Sequence, residues 1–325
     1  MNRRQHLLRL AALPLAAMAA PARAQPIAFP SRPVKIIVPY GPGTTSDAIS
    51  RMLAKRLSDA WGQSVVVENL VGAGGVVGTQ AIARAAPDGH TVGMIASNFA
   101  ISAAVFPKLP YDSLRDFKPI VHVTFNQFVF VVNPALPARD VRELIALAKE
   151  RPGHLDFASS GNGGSPHLAM EMFASMAGIK LNHVPYRATG QAVTDVVSGQ
   201  VQLMCTSIST LAPFIRDGRL RALAVSGSKR SPLLPDVPTM SEAGVPGYVM
   251  KNWNGIVAPA SVSDEVAARL QADIVRIVQE PAFETQLTAQ AAEVEVLGPS
   301  EFGKRIADEI DLWRRVVLES GAKVE

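Results

Sequence analysis

The chain has 325 residues, with 32 Lys+Arg, 28 Asp+Glu and a single cysteine, Cys205. Residues 1–24 hold four Arg and no acid, so 28 basic residues face 28 acidic ones in the remainder. That balance removes the electrostatic basis for binding nucleic acid or an anionic membrane, and one cysteine excludes an internal disulfide.

The amino terminus reads as a targeting segment. Arg3, Arg4 and Arg9 flank or enter an apolar run from Leu7 to Ala20, and Ala22-Arg23-Ala24 is a small-x-small cleavage pattern. The run falls short of the roughly 20 apolar residues of a membrane span, which predicts a secretory signal peptide cut after Ala24. Arg3-Arg4 leaves the twin-arginine route open beside the general one. About 300 residues then remain, more than one hydrophobic core ordinarily serves, so two domains are expected.

Val34-Lys35-Ile36-Ile37-Val38 reads as a buried strand. Pro39, Gly41, Pro42 and Gly43 then break the backbone, and Thr44, Thr45, Ser46 and Asp47 are all N-cap residue types. Ile49, Met52, Leu53, Leu57 and Trp61 follow at helical spacing. A helix start carries free N–H groups and about half a positive charge, so this turn is a natural anion site. Ser64 to Glu68 and His90 to Ile95 predict further strands. Between them lie Gly72-Ala73-Gly74-Gly75, a helix ending near Ala86 and the turn Pro87-Asp88-Gly89. The β-α-β-α-β order predicts a parallel, doubly wound sheet. Ile120 to Val132 holds two apolar stretches around Asn126-Gln127, suited to carrying the chain out of a first lobe.

A second set of units begins at Asp140, which forms a capping box with Glu143, and Pro152-Gly153 stops that helix. A strand from Leu155 to Ser159 runs into Ser160-Gly161-Asn162-Gly163-Gly164-Ser165-Pro166, followed by a helix carrying Leu168, Met172 and Phe173. Strands at Leu181–Tyr186, Val201–Cys205 and Leu220–Val225 alternate with helices from about Gly190 and up to Arg216. Ser231 to Gly247 reads as a surface loop containing a short helix. Val249 to Pro259 returns the chain to the first lobe, and helices follow at about Asp264–Gln279 and Ser300–Glu319, with a strand at Val294–Leu297 between them. Each of two α/β lobes thus offers a Gly-rich loop at the carboxyl end of a strand, where open α/β sheets bind ligands.

The glycines of the 159–167 loop let backbone amides approach a ligand closely, and Ser159, Ser160, Asn162 and Ser165 add neutral donors. The 72–78 loop is a weaker match to a dinucleotide site. Val77 stands where the third glycine belongs and no strand ending in an acid follows, so a tight turn packing a helix on the sheet is the better reading. Ser165 and His167, two apart at a helix start, point in different directions, and no G-x-S-x-G elbow is present. The six histidines make no metal spacing. No catalytic residue, metal or cofactor is expected. Tyr40, Tyr186 and Trp253 are expected in the core, with cleft walls as their alternative.

The ordered run of P-Y-G-P-G-T-T-S-D (39–47), V-V-V-E-N with G-A-G-G (65–75), A-P-D-G (86–89), A-S-S-G-N-G-G-S-P-H-L-A (158–169), H-V-P-Y (183–186) and L-P-D-V-P-T (234–239) resembles the Bug, or TctC-like, extracytoplasmic solute receptors of tripartite tricarboxylate transporters. The similarity extends over the whole chain after residue 24. It implies a two-lobed periplasmic binding protein, type II-like, each lobe a doubly wound and mainly parallel sheet with two hinge crossovers. Residues 25–125 and 250–325 would form lobe 1 and residues 126–249 lobe 2, hinged near Phe125–Val132 and Val249–Val257. A carboxylate would be held by Tyr40, Gly43, Thr45 and Asp47 from one loop, Asp47 fixing its geometry. Ser160, Asn162, Gly163, Ser165 and His167 would come from the other. Thr44, Ser97, Tyr186 and Thr206 complete the candidate set.

The implied partners are membrane permease subunits or, alternatively, a sensor kinase, with the receptor itself a monomer. A periplasmic hydrolase is the competing class. Three departures from the family pattern stand out. Gly43-Thr44 replaces Gly-Gly, Leu70-Val71 replaces Arg-Pro, and Gln202-Leu203-Met204-Cys205-Thr206 ends in Thr206 where the family often has an acid. Losing that acid removes a partner for an ammonium group. The expected ligand is therefore an aromatic monocarboxylate or a dicarboxylate rather than an amino acid.

Overall fold

The computed structural model describes residues 29–106, 108–186 and 188–320, the side chains of 319 and 320 excepted. The expected signal peptide, residues 1–24, lies outside the described residues. β1 (Val34–Val38), α1 (Thr45–Trp61), β2 (Val65–Asn69), a 3-10 turn at Ala73–Gly75, α2 (Val76–Ala83) and β3 (Thr91–Ala96) follow the alternation read from the sequence. β1 lies between β2 and β3 and pairs with both in parallel. Val34, Ile36 and Val38 share one buried cluster with Ile49, Leu53 and Leu57 of α1, so the apolar face of α1 fixes where its amino terminus points. α3 (Asn98–Val105) starts directly after β3. Its sequence, N-F-A-I-S-A-A-V, has no charged face to show helical periodicity.

The two apolar stretches around Asn126-Gln127 form one continuous 16-residue strand, β4 (Phe117–Val132). After it come α4 (Val141–Glu150), β5 (Asp156–Ser159), α5 (Ser165–Ala177), β6 (Asn182–Pro185), α6 (Thr189–Ser198), β7 (Leu203–Ser207), α7 (Ile208–Arg216) and β8 (Arg221–Val225). Asp140 caps α4 as expected, accepting from the Glu143 N–H at 2.8 Å. Residues 231–247 hold turns and a bridge from Thr239 to Val225, with no helix; Thr239 and Glu242 bond each other's backbone N–H and close a turn instead. β9 (Lys251–Pro259), α8 (Asp264–Val278), α9 (Pro281–Ala289), β10 (Ala292–Leu297) and α10 (Pro299–Ser320) complete the described chain. α9 is an element beyond those expected, its buried face being little more than Phe283 and Leu287.

The strand order is β2-β1-β3-β9-β4-β7-β5-β6, with β8 and β10 also on β4. Parallel pairings occupy both flanks, β2-β1-β3 and β7-β5-β6. At the centre β9 and β4 run antiparallel to their neighbours. The reason is connectivity: the chain leaves the first flank along β4 and comes back along β9, and two such strands lying side by side must run in opposite directions. β4 pairs with β9 as far as Gln127–Lys251 and with β7 from Phe128–Ser207 onward. One strand therefore serves both flanks and changes partner between Gln127 and Phe128. α10 lays Phe302, Ile306, Ile310 and Trp313 into a core that also contains Phe99 of α3 and Phe173 of α5.

Candidate ligand-binding cleft

A cleft of about 380 Å³ opens where β4 changes partner, with Asn126 and Phe128 lining it from either side of the switch. Asn252 of β9 also lines it and donates to Asn126 Oδ1 at 3.1 Å. Five helices start at its wall: α1 presents Thr45, α3 Asn98, α5 Ser165, α6 Thr189 and α7 Ser207 at its N-cap. No charged side chain occurs among the described residues that line the cleft. The described lining thus offers helix ends and neutral donors, groups suited to an anion.

The first loop is built around the Asp47 carboxylate, which is 4 % exposed and lies behind the lining. It accepts from the Gly43 N–H at 3.0 Å, Arg51 Nε at 3.1 Å and Asn69 Nδ2 at 3.0 Å. Burial works against that charge, yet the hydrogen bonds from Arg51, Gly43 and Asn69 hold the Asp47 carboxyl below its ordinary value. Gly43 has φ of 80°, a left-handed conformation suited to glycine. Thr44, the departure from Gly-Gly, turns its hydroxyl back as the cap of α1: it accepts from the Asp47 N–H at 3.3 Å and donates to the Gly41 carbonyl at 2.9 Å. Tyr40 walls the cleft and its hydroxyl accepts from the Ala96 N–H at 3.1 Å, while burial raises its pKa and keeps it neutral.

The 72–78 turn does packing work beneath this loop. A Cβ at Gly78 would come within 2.5 Å of the Leu70 carbonyl oxygen and 2.8 Å of Pro39 Cα, and one at Gly75 within 3.1 Å of the Tyr40 ring. None of its residues lines the cleft.

The second loop is braced differently. His167 is buried and its Nδ1 accepts from the Gly163 N–H at 3.0 Å. Its ring stacks on His183, with centroids 3.8 Å apart, and His183 stacks in turn on Phe157 at 4.8 Å. Ser159 Oγ lies 2.6 Å from His183 Nε2. Burial, reinforced by His167 alongside, pushes the His183 pKa down to about 3. Ser165 and Pro166 reach the cleft. The Ser165 N–H donates to Asn98 Oδ1 at 3.2 Å and its hydroxyl bonds the same oxygen, which ties the start of α5 to the start of α3.

The cleft thus brings together six of the candidates named from the sequence: Tyr40, Gly43, Thr44, Thr45, Ser165 and Thr206. Ser160 and Asn162 are exposed, and they, Gly163 and Tyr186 stand outside the lining. The Tyr186 hydroxyl donates to Asp195 at 2.7 Å. Ser97 is fully buried, accepting from the Trp253 N–H at 3.1 Å. Trp253 itself is core, its indole donating to Glu309 at 2.7 Å, so Tyr40 alone of those three aromatics meets the cleft. Asn98, Asn126, Asn252 and the 207–210 turn were not among the expected residues. The S-I-S-T run of that turn repeats the N-cap signature of residues 44–47. Asn126 and Asn252 are ordinary polar residues in strands and carry no comparable signal.

Catalysis by a Ser/His pair finds little here. His167 turns away from Ser165 toward Gly163. Ser159 does meet His183, but it is 1 % exposed, and an imidazole with a pKa of about 3 is a poor base.

A donor-lined cleft at the crossover of a two-flanked α/β sheet is the architecture of a solute-binding protein. Residues 49–322 match the TctC family model, the tripartite tricarboxylate transporter family receptor, and the chain belongs to that family. It is 38% identical over 312 residues to protein BugT of Bordetella pertussis, covering 95% of each chain. The solved structure of R. palustris Rpa4515 with adipate is 30% identical with a TM-score of 0.82, over 91% of this chain and 99% of that one. MatC from Rhodopseudomonas palustris with bound malate is 31% identical with a TM-score of 0.78, over 89% of this chain and 100% of that one. Among the described residues, no helix is long and apolar enough to cross a membrane.

Proposed function

We propose that the chain is exported, cleaved after Ala24, and acts in the periplasm as a monomeric receptor that closes two lobes on a small carboxylate. The loaded form delivers its ligand, chemically unchanged, to the permease subunits of a tripartite tricarboxylate transporter. Lobe 1 comprises residues 25–125 and 250–325, and lobe 2 residues 126–249. The partner change of β4 between Gln127 and Phe128 supports that division, since it falls within Phe125–Val132, one of the two stretches that would flex on closure. The other, Val249–Val257, includes Asn252 at the cleft.

The observation that carries this reading is the convergence of five helix starts on a cleft whose described lining is uncharged. Backbone amides and hydroxyls in that arrangement hold a carboxylate without a counter-charge. The adipate and malate of the related structures are ligands of this kind. Tyr40, Gly43, Thr45 and Ser165 form the contact set, with Asp47 and His167 positioning the two loops. Since no acid occurs among the described lining residues, an ammonium group finds no partner there, and aspartate and glutamate bind more weakly than their non-amino analogues.

A thermal-shift screen of carboxylates on the mature protein tests the reading. A ligand at one hundred times its dissociation constant stabilises by about 2.7 kcal/mol. Thr45→Tyr, which fills the cleft, abolishes that shift and leaves the unliganded melting temperature in place. Binding that survives Thr45→Tyr, or a ligand recovered as a reaction product, would overturn the assignment.

A further inference from the structure

The partner change of β4 leaves two adjoining residues bound to different parts of the structure. Gln127 is the last residue paired with β9, opposite Lys251, and Phe128 is the first paired with β7. β10 holds both members of the first pair: Gln127 Nε2 donates to Glu293 at 3.3 Å and Lys251 Nζ to Glu295 at 2.8 Å. Arg305 of α10 grips Glu295 as well, at 2.8 Å. Ser226, which follows β8 and is fully buried, holds the other side. Its N–H donates to the Phe128 carbonyl at 2.9 Å, and its carbonyl accepts from the Met250 N–H at 2.8 Å. Its hydroxyl repeats the bridge, accepting from the Phe128 N–H at 2.9 Å and donating to the Met250 carbonyl at 2.6 Å. One residue thus meets both backbone groups of Phe128 and both of Met250, where the β4–β9 ladder has ended. Gly227 comes next. A Cβ there would come within 2.4 Å of Gln127 Cδ, so its absence lets Gln127 lie against this step.

We propose that Ser226 is the positioning residue of the hinge: it staples both crossover strands to the second flank, so that the lobes turn about two joints, Gln127–Phe128 and Met250–Lys251. This rests on the reading of the protein as a receptor that closes two lobes. On either side of each joint the chain is held to a different flank, and the dihedrals between the two holds are left to rotate. Because Gln127 and Lys251 face each other across the β4–β9 ladder, the two joints lie side by side and share one axis. Without the hydroxyl, the Phe128 N–H and the Met250 carbonyl are buried and lose that partner. The two strands then flex separately, and the lobes take up a range of relative orientations.

Distances between spin labels on the two lobes decide it. Lys55→Cys in α1 and Lys149→Cys in α4 place the labels at exposed positions, and the native Cys205 is fully buried. Pulsed electron paramagnetic resonance of the ligand-free mature protein is expected to give one narrow distance distribution. Ser226→Ala is expected to broaden it and to speed amide exchange at Phe128 by about tenfold. Gly227→Ala, which displaces the Gln127 side chain, is expected to move the mean distance without broadening it. A Ser226→Ala protein that melts lower but keeps the wild-type distribution would overturn the proposal and leave Ser226 an ordinary buried hydrogen-bonding residue. Should Ser226→Ala fail to fold, an unmoved mean in Gly227→Ala overturns it instead. The same labels on wild type, mixed with adipate, malate and the other carboxylates of the thermal-shift screen, test the receptor reading separately. A mean that no carboxylate moves counts against closure on a ligand, while the ligand-free distributions still decide the joints.

Discussion

The two Gly-rich loops occupy matching places, each leaving a strand and starting a helix, yet they are held by opposite chemistry. The 41–47 loop hangs on a buried carboxylate, with Asp47 gathering Gly43, Arg51 and Asn69. The 159–167 loop rests on stacked rings, with His167 taking the Gly163 N–H above His183 and Phe157. One brace needs a charge and the other needs a neutral imidazole. Two chemically different supports can therefore present the same product, a helix start, to one cleft.

Removing the charged brace should have the largest effect. Asp47→Ala is expected to lower unfolding free energy by about 3 kcal/mol in urea denaturation and to weaken carboxylate binding at least about tenfold. Unchanged stability would mean the first loop is held by something else. Gly78→Ala attacks the same loop from beneath, where the added Cβ meets the Leu70 and Pro39 backbone. A cost of about 2 kcal/mol is expected, since backbone cannot move aside as a side chain does. His167→Phe keeps the stack and deletes the acceptor for Gly163 together with the Nε2 contact to Glu171 at 3.5 Å. A cost of about 1 kcal/mol is expected, with a modest loss of carboxylate affinity by titration calorimetry.

The acid response is where the loops part company. The folded His183 pKa of about 3 lies below the ordinary imidazole value of about 6.5. Between those values the unfolded chain binds the extra proton, so stability falls as pH drops from about 6.5 toward 3. The Asp47 pKa is also lowered, so its contribution persists down to the carboxylate range and is lost only as pH falls through its folded value. Melting temperatures of wild type and His183→Asn across this range separate the two: the variant should show a flatter curve above the carboxylate range. Parallel curves would assign the acid response elsewhere.

Much of this was legible in the chain. Val34–Val38 and the N-cap run Thr44–Asp47 announce the first loop, and Ser159–Pro166 the second, because turns and caps are local and depend on residue type. Other parts were not. α3 lacks a polar face, so periodicity had nothing to show, and Asn98 at its start was invisible as a consequence. Ser160 and Asn162 look like better donors than Ser165, but they are exposed and outside the lining while Ser165 is drawn in by Asn98. Thr206 was visible only as a missing acid.

By itself the sequence determined the alternation of strands and helices, the two glycine-rich turns and their caps, all set by short-range sterics and hydrogen bonding. Only the tertiary structure decided that β4 and β9 run antiparallel through the centre, because pairing between strands more than a hundred residues apart follows from how the chain returns and not from local pattern. The same long-range packing decided which donors face the cleft. Helix starts from both flanks converge there only after the apolar faces behind them are buried.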